Sequence, residues 1–414
     1  RLILQYLPTL LRHRAPGQLI LQYSNHCNAT CPQCTMRVGN RFPRTRLNWD
    51  QATRIVDHAA QSRFLSLSLT GGEPLLHATE VLALLGYAAE KGIPFTRTGT
   101  NGFVFKDHEH PDYEDRIRRL AISLQRSRIY TFWISIDSAL PGIHEQMRGL
   151  PGVIEGIKKA LSIFHRYEVY PSVNLGLNRK MGKIGRLEEV GPERFFTDCC
   201  RALANFYQFV IDLGFTIANV CYPMSATGLS DAGNAVYGAV ADSEIMDFSV
   251  AERVLLLKAL LHTIPSYRGR IRIFTPLSAL HVLTAADGAP PPDSYGCRGG
   301  IDFFFIDAES GKLYPCGYRG NECLGDFEAF DLKAVNTNAN CSQCDWECFR
   351  DPSILFGPPL ALMAKLVKAV ASFFASPAFF KLWLADLRYY RACNFFRCTT
   401  PPNYKAMVRA TKSK

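Results

Sequence analysis

The chain has 414 residues, of which 47% are apolar and 20% charged. This balance is typical of a globular protein with a large core, and it excludes a disordered chain and a small disulfide-bonded scaffold. The net charge is +10, but lysine and arginine are scattered, so no nucleic-acid partner is expected. A mildly anionic partner or a membrane surface fits this charge as well.

Cysteine is the unusual residue type, with 14 in the chain. Three lie between residues 27 and 34, three between 199 and 221, and eight between 297 and 398. A secreted disulfide framework belongs to short chains behind a signal peptide, and we find no such signal. No apolar run reaches the roughly 18 residues that span a membrane. We therefore expect a cytoplasmic protein whose clustered, reduced cysteines bind metal.

Short apolar runs alternate six times with helical patterns. The predicted strands are 18–23, 65–70, 93–97, 130–136, 170–177 and 215–220, and the predicted helices are 49–62, 78–91, 112–126, 152–166, 192–213 and 250–262. This alternation predicts an α/β fold of parallel βα units, either an open sheet or a partial (βα)6 barrel. Such folds hold their ligands at the carboxyl ends of the strands.

The pattern changes near residue 285, where three prolines at 290–292 predict a linker. A cysteine-rich region follows, and it carries one hairpin signal, with 302–307 and 312–314 flanking Glu309-Ser310-Gly311. After Pro352 the chain becomes apolar and basic. We divide it into an amphipathic segment 1–17, a barrel domain 18–285, a cysteine-rich domain 286–352 and a helical tail 353–414.

The first cysteine cluster directly follows the first predicted strand. Cys27, Cys31 and Cys34 are separated by three and then two residues. Three thiolates this close can hold three irons of a [4Fe–4S] cluster and leave the fourth iron free for a substrate or cofactor. The alternative is a zinc site, but structural zinc takes four ligands. His26 is poorly placed as the fourth, because it is adjacent to Cys27.

This spacing resembles the signature of the radical S-adenosylmethionine (radical SAM) enzymes. Further motifs follow at the ends of the next strands, in the family's order. The segment 70–74 resembles the glycine–glycine–glutamate motif, and 100–102 and 135–138 end the third and fourth strands as in the family. The segment 144–149 has the spacing seen in peptide-modifying members. We therefore identify the chain as a suspected member of this superfamily.

The resemblance implies a role for each matching residue. The two glycines allow a close backbone approach, and Glu73 or a nearby carbonyl holds the ammonium of the methionyl group. Arg148 pairs with the SAM carboxylate, and polar residues of the fourth and fifth strands contact ribose and carboxylate. The sequence departs from the family pattern at one position, because Gln33 occupies the place of a residue that is usually aromatic. The implied cofactor-binding residues are Gly71, Gly72, Glu73, Asn101, Ser135, Asp137, Arg148 and Asn174.

The chemistry implied by the resemblance is C–H activation. An electron donor such as flavodoxin or ferredoxin reduces the cluster, and the cluster passes the electron to SAM. A 5′-deoxyadenosyl radical forms and takes a hydrogen atom from an unactivated C–H bond. The protein must exclude water and hold the target carbon near the radical.

The second cysteine region resembles the auxiliary-cluster domains called SPASM, or twitch in their shortened form. The resemblance implies that Cys297, Cys316, Cys341 and Cys344 fully ligate one auxiliary [4Fe–4S] cluster. A zinc ribbon is the alternative, because Cys-x2-Cys pairs are common there. Four further cysteines are enough in number for a second auxiliary cluster but match the pattern poorly: Cys323, Cys348, Cys393 and Cys398.

Two substrate classes fit an enzyme of this kind. The SPASM-like pattern and segment 144–149 are similar to enzymes that modify ribosomally made peptides, so we expect a peptide or natural-product substrate. The tail segments 358–375 and 379–396 are amphipathic, basic and aromatic, which favours a lipid or polyprenyl-linked substrate with peripheral contact at the inner membrane face. Alternatively, the tail packs on the barrel. A non-catalytic zinc or iron–sulfur binding protein leaves the strand-end motifs unexplained.

Overall fold

The computed structural model describes residues 2–34, 44–222, 244–284, 295–336, 341, 344–364 and 373–412. The strands are β1 (Gly17–Ser24), β2 (Phe64–Gly71), β3 (Phe95–Thr100), β4 (Thr131–Ser135), β5 (Ser172–Gly176), β6 (Ile217–Cys221), β7 (Arg272–Ile273), β8 (Phe303–Ile306) and β9 (Leu313–Tyr314). They form one sheet in the order β7-β6-β5-β4-β3-β2-β1-β8-β9. All neighbouring pairs are parallel except β8 and β9. The predicted α/β fold of parallel strands is confirmed.

Helices connect the strands, and most of the connecting helices pack in the main core on one side of the sheet. They are α1 (Leu2–Leu11), α2 (Trp49–Gln61), α3 (Ala78–Glu90), α4 (Tyr113–Arg126), α5 (Pro141–Arg148), α6 (Val153–Arg166), α7 (Leu187–Val190), α8 (Pro192–Leu213), α9 (Val250–Tyr267), α10 (Leu277–Leu283), α11 (Glu347–Ala364), α12 (Pro377–Ala392) and α13 (Tyr404–Lys412). Helix α9 begins with a capping box of Ser249 and Glu252, which satisfies two backbone donors that the first turn leaves free.

Side chains along β1 alternate between two faces of the sheet. Leu19 and Leu21 pack in the main core with the helices, whereas Ile20 packs on the opposite side. Residues in register on neighbouring strands share a face. Ser68 on β2 is in register with Ile20, and Arg97 on β3 is in register with Ser68. We call the face that carries Ile20, Ser68 and Arg97 the inner face.

The third strand lies further along the chain than predicted. The pattern predicts residues 93–97, but β3 runs from Phe95 to Thr100. Its last residues are polar, and Thr98 and Thr100 are buried with hydrogen-bond partners for their hydroxyl groups. Thr98, for example, donates its Oγ1–H to the carbonyl of Leu69 at 2.9 Å. Threonine favours strands, but a search for apolar runs does not detect it.

The cysteine-rich region is joined to the same sheet. Strand β8 pairs in parallel with β1, and the predicted hairpin is confirmed by the antiparallel pairing of β8 and β9. All four residues of β8 are buried, as in a strand covered on both faces. Asp302 secures the junction by accepting from Arg14 Nε and from the backbone N–H of Ala15, both at 2.9 Å. The division into domains stays a prediction.

The described part of the tail packs on the protein. Phe379 and Phe380 of α12 are buried, and Trp383 donates its Nε1–H to the carbonyl of Leu355 in α11 at 3.0 Å. Asp386, which also lies on α12, is fully buried. Among the residues described, no helix has the length and apolar character needed to cross a bilayer.

Candidate active site

The cysteine loop follows β1 and is held against the end of β2. The backbone N–H of Gly72 donates to the carbonyl of Ser24 at 2.8 Å, and that of Glu73 donates to the carbonyl of His26 at 2.7 Å. A Cβ on Gly72 would lie 2.2 Å from the His26 oxygen, and one on Gly71 would lie 2.1 Å from the Ser24 oxygen. The two glycines therefore permit the backbone contact that places the cysteines.

The three thiols of this loop fit a shared iron–sulfur cluster. Cys31 is buried, and its burial raises its pKa to about 11, with the Arg148 guanidinium opposing this rise. Cys27 and Cys34 lie close enough to raise it further. A buried thiol remains deprotonated only beside positive charge, which the irons of a cluster provide. The amide of Asn101 approaches the Cys27 sulfur at 3.9 Å.

Glu73 ties the ends of β2 and β3 together. Its carboxylate is 1% exposed, and it accepts the backbone N–H groups of Leu75 at 2.9 Å and Asn101 at 2.6 Å. Burial raises its pKa to about 7, although these hydrogen bonds lower it. The Asn101 amide also donates to Asn28 Oδ1 in the cysteine loop at 2.9 Å. Both side chains thus hold the site together, and the contact of Glu73 with the methionyl ammonium stays a prediction.

Arg148 and Asp137 form a bidentate ion pair beside the cysteine loop. Arg148 ends α5, and Gly149 follows it in the left-handed conformation at φ 67°. The Arg148 Nε and Nη2 groups donate to the Asp137 carboxylate at 2.7 and 2.9 Å. Burial opposes ionisation of Asp137, but the guanidinium holds its pKa well below the usual range. His144 accepts the backbone N–H of Asp137 at 3.1 Å through Nδ1. Pairing of Arg148 with a SAM carboxylate stays a prediction.

A row of polar side chains crosses β4, β5 and β6. Ser135 is in register with Asn174, and Asn174 is in register with Asn219. Asn219 donates its Nδ2–H to Asn174 Oδ1 at 3.2 Å. The motif search missed Asn219, although its place in the sixth strand corresponds to that of Asn174 in the fifth. The row therefore adds a third polar group to the two that were predicted.

Four cysteines come together in the second region. Cys297 and Cys316 are buried, and the backbone N–H of Cys297 donates to the carbonyl of Cys341 at 2.8 Å. Burial raises the pKa of Cys316 to about 12, and Cys297 raises it further. The pKa of Cys344 is raised by burial and by both of these thiols. Such a set fits a cluster that supplies the positive charge that buried and half-buried thiolates require.

Across the part of the chain that is described, no three Cys, His, Asp or Glu side chains lie close enough to share one metal ion. In a [4Fe–4S] cluster each thiolate binds a different iron, so this spacing is compatible with either proposed ligand set.

The four remaining candidate cysteines lie in three separate places. Cys323 is exposed, and Cys348 contacts Glu347 near β6. Cys393 and Cys398 lie in the tail, where each makes a sulfur hydrogen bond to a backbone carbonyl. The structure therefore does not gather these four into a ligand set for a second auxiliary cluster.

Comparisons with known proteins agree with this geometry. Residues 21–177 match the family model of the Radical SAM superfamily. The chain is 23% identical over 304 residues to the AdoMet-dependent heme synthase of Methanosarcina barkeri, which covers 73% of this chain and 77% of that protein. It is 26% identical over 169 residues to the probable GTP 3′,8-cyclase of Thermococcus kodakarensis, covering 40% of this chain and 50% of that one.

Solved structures share the fold. SuiB of Streptococcus suis bound to S-adenosylmethionine superposes with a TM-score of 0.52 at 16% identity, over 77% of this chain and 65% of SuiB. The enzyme anSMEcpe with bound AdoMet superposes with a TM-score of 0.50 at 15% identity, over 78% and 82% of the two chains. Residues 21–177 thus form a radical SAM domain, and the protein is an enzyme whose cofactors are S-adenosylmethionine and a [4Fe–4S] cluster.

Proposed function

We propose that this enzyme abstracts a hydrogen atom from an unactivated C–H bond of a peptide or natural-product substrate. One observation carries the proposal, namely that Asn101 joins the separate motifs. Its backbone N–H reaches Glu73, and its side chain reaches both Cys27 and Asn28. A plain α/β binding protein would have no reason to connect a three-cysteine loop to a buried carboxylate in this way.

Cys27, Cys31 and Cys34 would hold the cluster. When bound, the cluster and SAM supply a 5′-deoxyadenosyl radical that attacks C–H bonds. The side chains of the protein position the cofactor: Arg148 offers a guanidinium to a carboxylate, and Asp137 keeps that guanidinium in one orientation. The buried surroundings exclude water, which a radical reaction requires.

The second cysteine set would hold an auxiliary cluster. Cys297, Cys316, Cys341 and Cys344 are four ligands, so no iron is left free to bind substrate. We therefore propose that this centre accepts the electron that remains on the substrate after hydrogen abstraction. An electron donor such as flavodoxin or ferredoxin would reduce the first cluster.

Iron counting on variants tests both assignments. The wild-type protein, reconstituted anaerobically, is expected to hold about eight irons and to form 5′-deoxyadenosine from SAM with dithionite. The variant C31A should lose about four irons and all cleavage, whereas C344A should lose about four irons and keep cleavage. The matched control is C323A, which removes an exposed cysteine outside both sets and should keep all the iron. Zinc in place of iron, with no cleavage by wild type, would contradict the proposal.

Relatives support two kinds of substrate. SuiB has been solved with the precursor peptide SuiA, and anSMEcpe with the peptide Cp18Cys. The sequence relatives that match most of the chain are named heme synthases. A lipid substrate has less support, because α12 buries Phe379 and Phe380 within the protein. Flotation with anionic vesicles tests that alternative, and salt-sensitive binding would favour it.

A further inference from the structure

Arg97 places a positive charge on the inner face with no carboxylate beside it. Its Nε donates to Ser68 Oγ at 3.0 Å, and no acidic residue of the described chain forms an ion pair with it. Three other arginines of low exposure each face a carboxylate at 2.7 Å: Arg148, Arg179 and Arg268. Arg272 is fully buried without a carboxylate, but three neutral oxygens accept its hydrogen bonds. Arg97 has one such partner among the described residues, so most of its guanidinium donors are available to an anion.

The indole of Trp133 lies on the same face, two residue pairs further along the strands than Arg97. Gly99 is in register with Trp133, and a Cβ on Gly99 would lie 2.1 Å from the indole Nε1. The ring therefore lies across the glycine, where any other residue would displace it. Trp133 is half-buried, and its Nε1–H makes no hydrogen bond to the described residues. It offers a flat apolar surface with a free donor.

The acidic groups on the neighbouring α11 do not neutralise Arg97. Glu347 accepts the backbone N–H of Tyr222 at 3.3 Å, and Asp351 accepts the hydroxyl of the same tyrosine at 3.3 Å. Burial raises the pKa of both carboxyl groups, that of Glu347 to about 7. Burial raises the pKa of the Cys348 thiol well above its usual value, and the nearby Arg97 guanidinium opposes this rise.

We propose that Arg97 and Trp133 form the substrate subsite, with Arg97 binding a carboxylate or phosphate and Trp133 stacking on a flat conjugated ring. This rests on the proposed function and narrows its substrate class to conjugated anions. Trp133 lies two residues before Ser135, or about 7 Å along β4. A ring that stacks on Trp133 therefore extends to the strand ends where the cysteine loop and Asp137 lie.

Equilibrium dialysis against the reconstituted enzyme tests the subsite. Two anionic probes are used, protoporphyrin IX with two carboxylates and GTP with a triphosphate, each against its neutral counterpart, the porphyrin dimethyl ester and guanosine. We expect one anionic probe to bind at least about tenfold more tightly than its neutral counterpart. Preferential binding of the porphyrin identifies a carboxylate as the anion, and preferential binding of the nucleotide identifies a phosphate. Either result supports the subsite.

Substitutions assign that binding to the two residues. R97Q should weaken the charged probe about tenfold or more, whereas R97K should restore most of the affinity, which a purely structural arginine would not show. W133F should weaken binding less than W133A, because it keeps an aromatic ring. The control R118Q changes an exposed arginine of α4 and should bind as wild type does.

The subsite and the proposed function fail in different ways. If wild type forms 5′-deoxyadenosine but binds neither anion, or binds neutral counterparts equally well, the subsite is overturned alone. Equal binding by folded R97Q overturns it too. If R97Q does not fold, the probe affinities of R97K and W133A relative to wild type still test the subsite. Absence of 5′-deoxyadenosine with wild type overturns the proposed function.

Discussion

Arg148 and Asp137 lie eleven residues apart and are joined by two hydrogen bonds of 2.7 and 2.9 Å. The carboxylate also adjoins His144, whose Nδ1 accepts the Asp137 backbone N–H. Because both charged groups have little contact with solvent, the pair holds α5 against the end of β4. The arrangement keeps a cation next to the cysteine loop before any cofactor arrives.

Removing the charge of Asp137 is expected to destabilise the protein. D137N leaves Arg148 buried without its counter-ion, which costs about 3 to 5 kcal/mol at pH 7. The pKa of Asp137 lies below its ordinary value of about 3.9, so its contribution is complete above that pH and is lost as pH falls further. Urea unfolding followed by circular dichroism should show a constant difference between wild type and D137N above about pH 5, and a difference that shrinks as the pH falls below about 4. The control D112N changes an exposed pair, and an equal loss there would contradict the argument.

Substitution of Gly72 is expected to displace the cysteine loop. In G72A the new Cβ would meet the His26 oxygen at 2.2 Å, so the loop must move. We expect about four irons to be lost, together with SAM cleavage, as measured by iron assay and 5′-deoxyadenosine formation. The control is G86A in α3, where the nearest atom lies at 3.7 Å and alanine favours the helix. Full iron content in G72A would show that the contact is dispensable.

The sequence predicts the repeating part of the fold well and its long-range pairings poorly. Apolar runs at strand spacing locate five of the first six strands closely, because each strand buries both faces. The third strand is displaced because Thr98 and Thr100 at its end are buried through hydrogen bonds rather than through apolar character. No local pattern indicates that β8 pairs with β1, since the partners are far apart in the chain.

The same division applies to the site. Motif spacing identifies the cysteines and the glycines, whose role is local. It does not reveal that Arg148 pairs with Asp137, because the sequence does not show the distance between the two side chains. Nor does it show that the Asp137 carboxylate competes with a cofactor carboxylate for the guanidinium. No motif or spacing in the sequence indicates a role for Arg97. Only the register of β2, β3 and β4 shows that it shares a face with Trp133.

Glu347 is expected to make stability depend on pH near neutrality. Burial raises its pKa to about 7, so its contribution is complete below its ordinary pKa and is lost as pH rises through about 7. E347Q cannot ionise, and its thermal midpoint should therefore rise relative to wild type by a few degrees between pH 5 and pH 8. Differential scanning fluorimetry measures this difference. The exposed control E188Q should show a constant difference, and so should E347Q if Glu347 does not titrate in this range.

Asp386 is expected to anchor the tail. Its carboxylate accepts from Arg268 at 2.7 Å, from the backbone N–H groups of Leu277 and Ser278 at 3.1 and 2.8 Å, and from the Ser278 hydroxyl at 2.8 Å. D386A leaves these buried donors unpaired, and we expect a loss of about 3 to 5 kcal/mol. Limited proteolysis should then cut the α12 segment faster. K381A, at an exposed position of the same helix, is the control, and equal protection of both variants would refute the anchoring role.

The tail cysteines are expected to bind no iron. Cys393 and Cys398 are buried and donate to the backbone carbonyls of Tyr390 and Phe395. C393A and C398A should each keep the wild-type iron content while losing about 1 kcal/mol of stability from the removed sulfur. Iron and sulfide assays on the two variants decide. A drop of about four irons in either would instead point to a second auxiliary cluster.

The pairing of β1 with β8 bears on how the chain is made. While the ribosome synthesises the first strands, the edge of β1 that β8 will cover carries Leu19, Ile20 and Leu21 with unpaired backbone groups. At about 5–20 residues per second, roughly 15 to 60 s pass before Phe303–Ile306 emerges. A nascent chain with an open apolar edge attracts other chains. Production of this protein should therefore respond to slower synthesis at low temperature and to chaperones that shield strand edges.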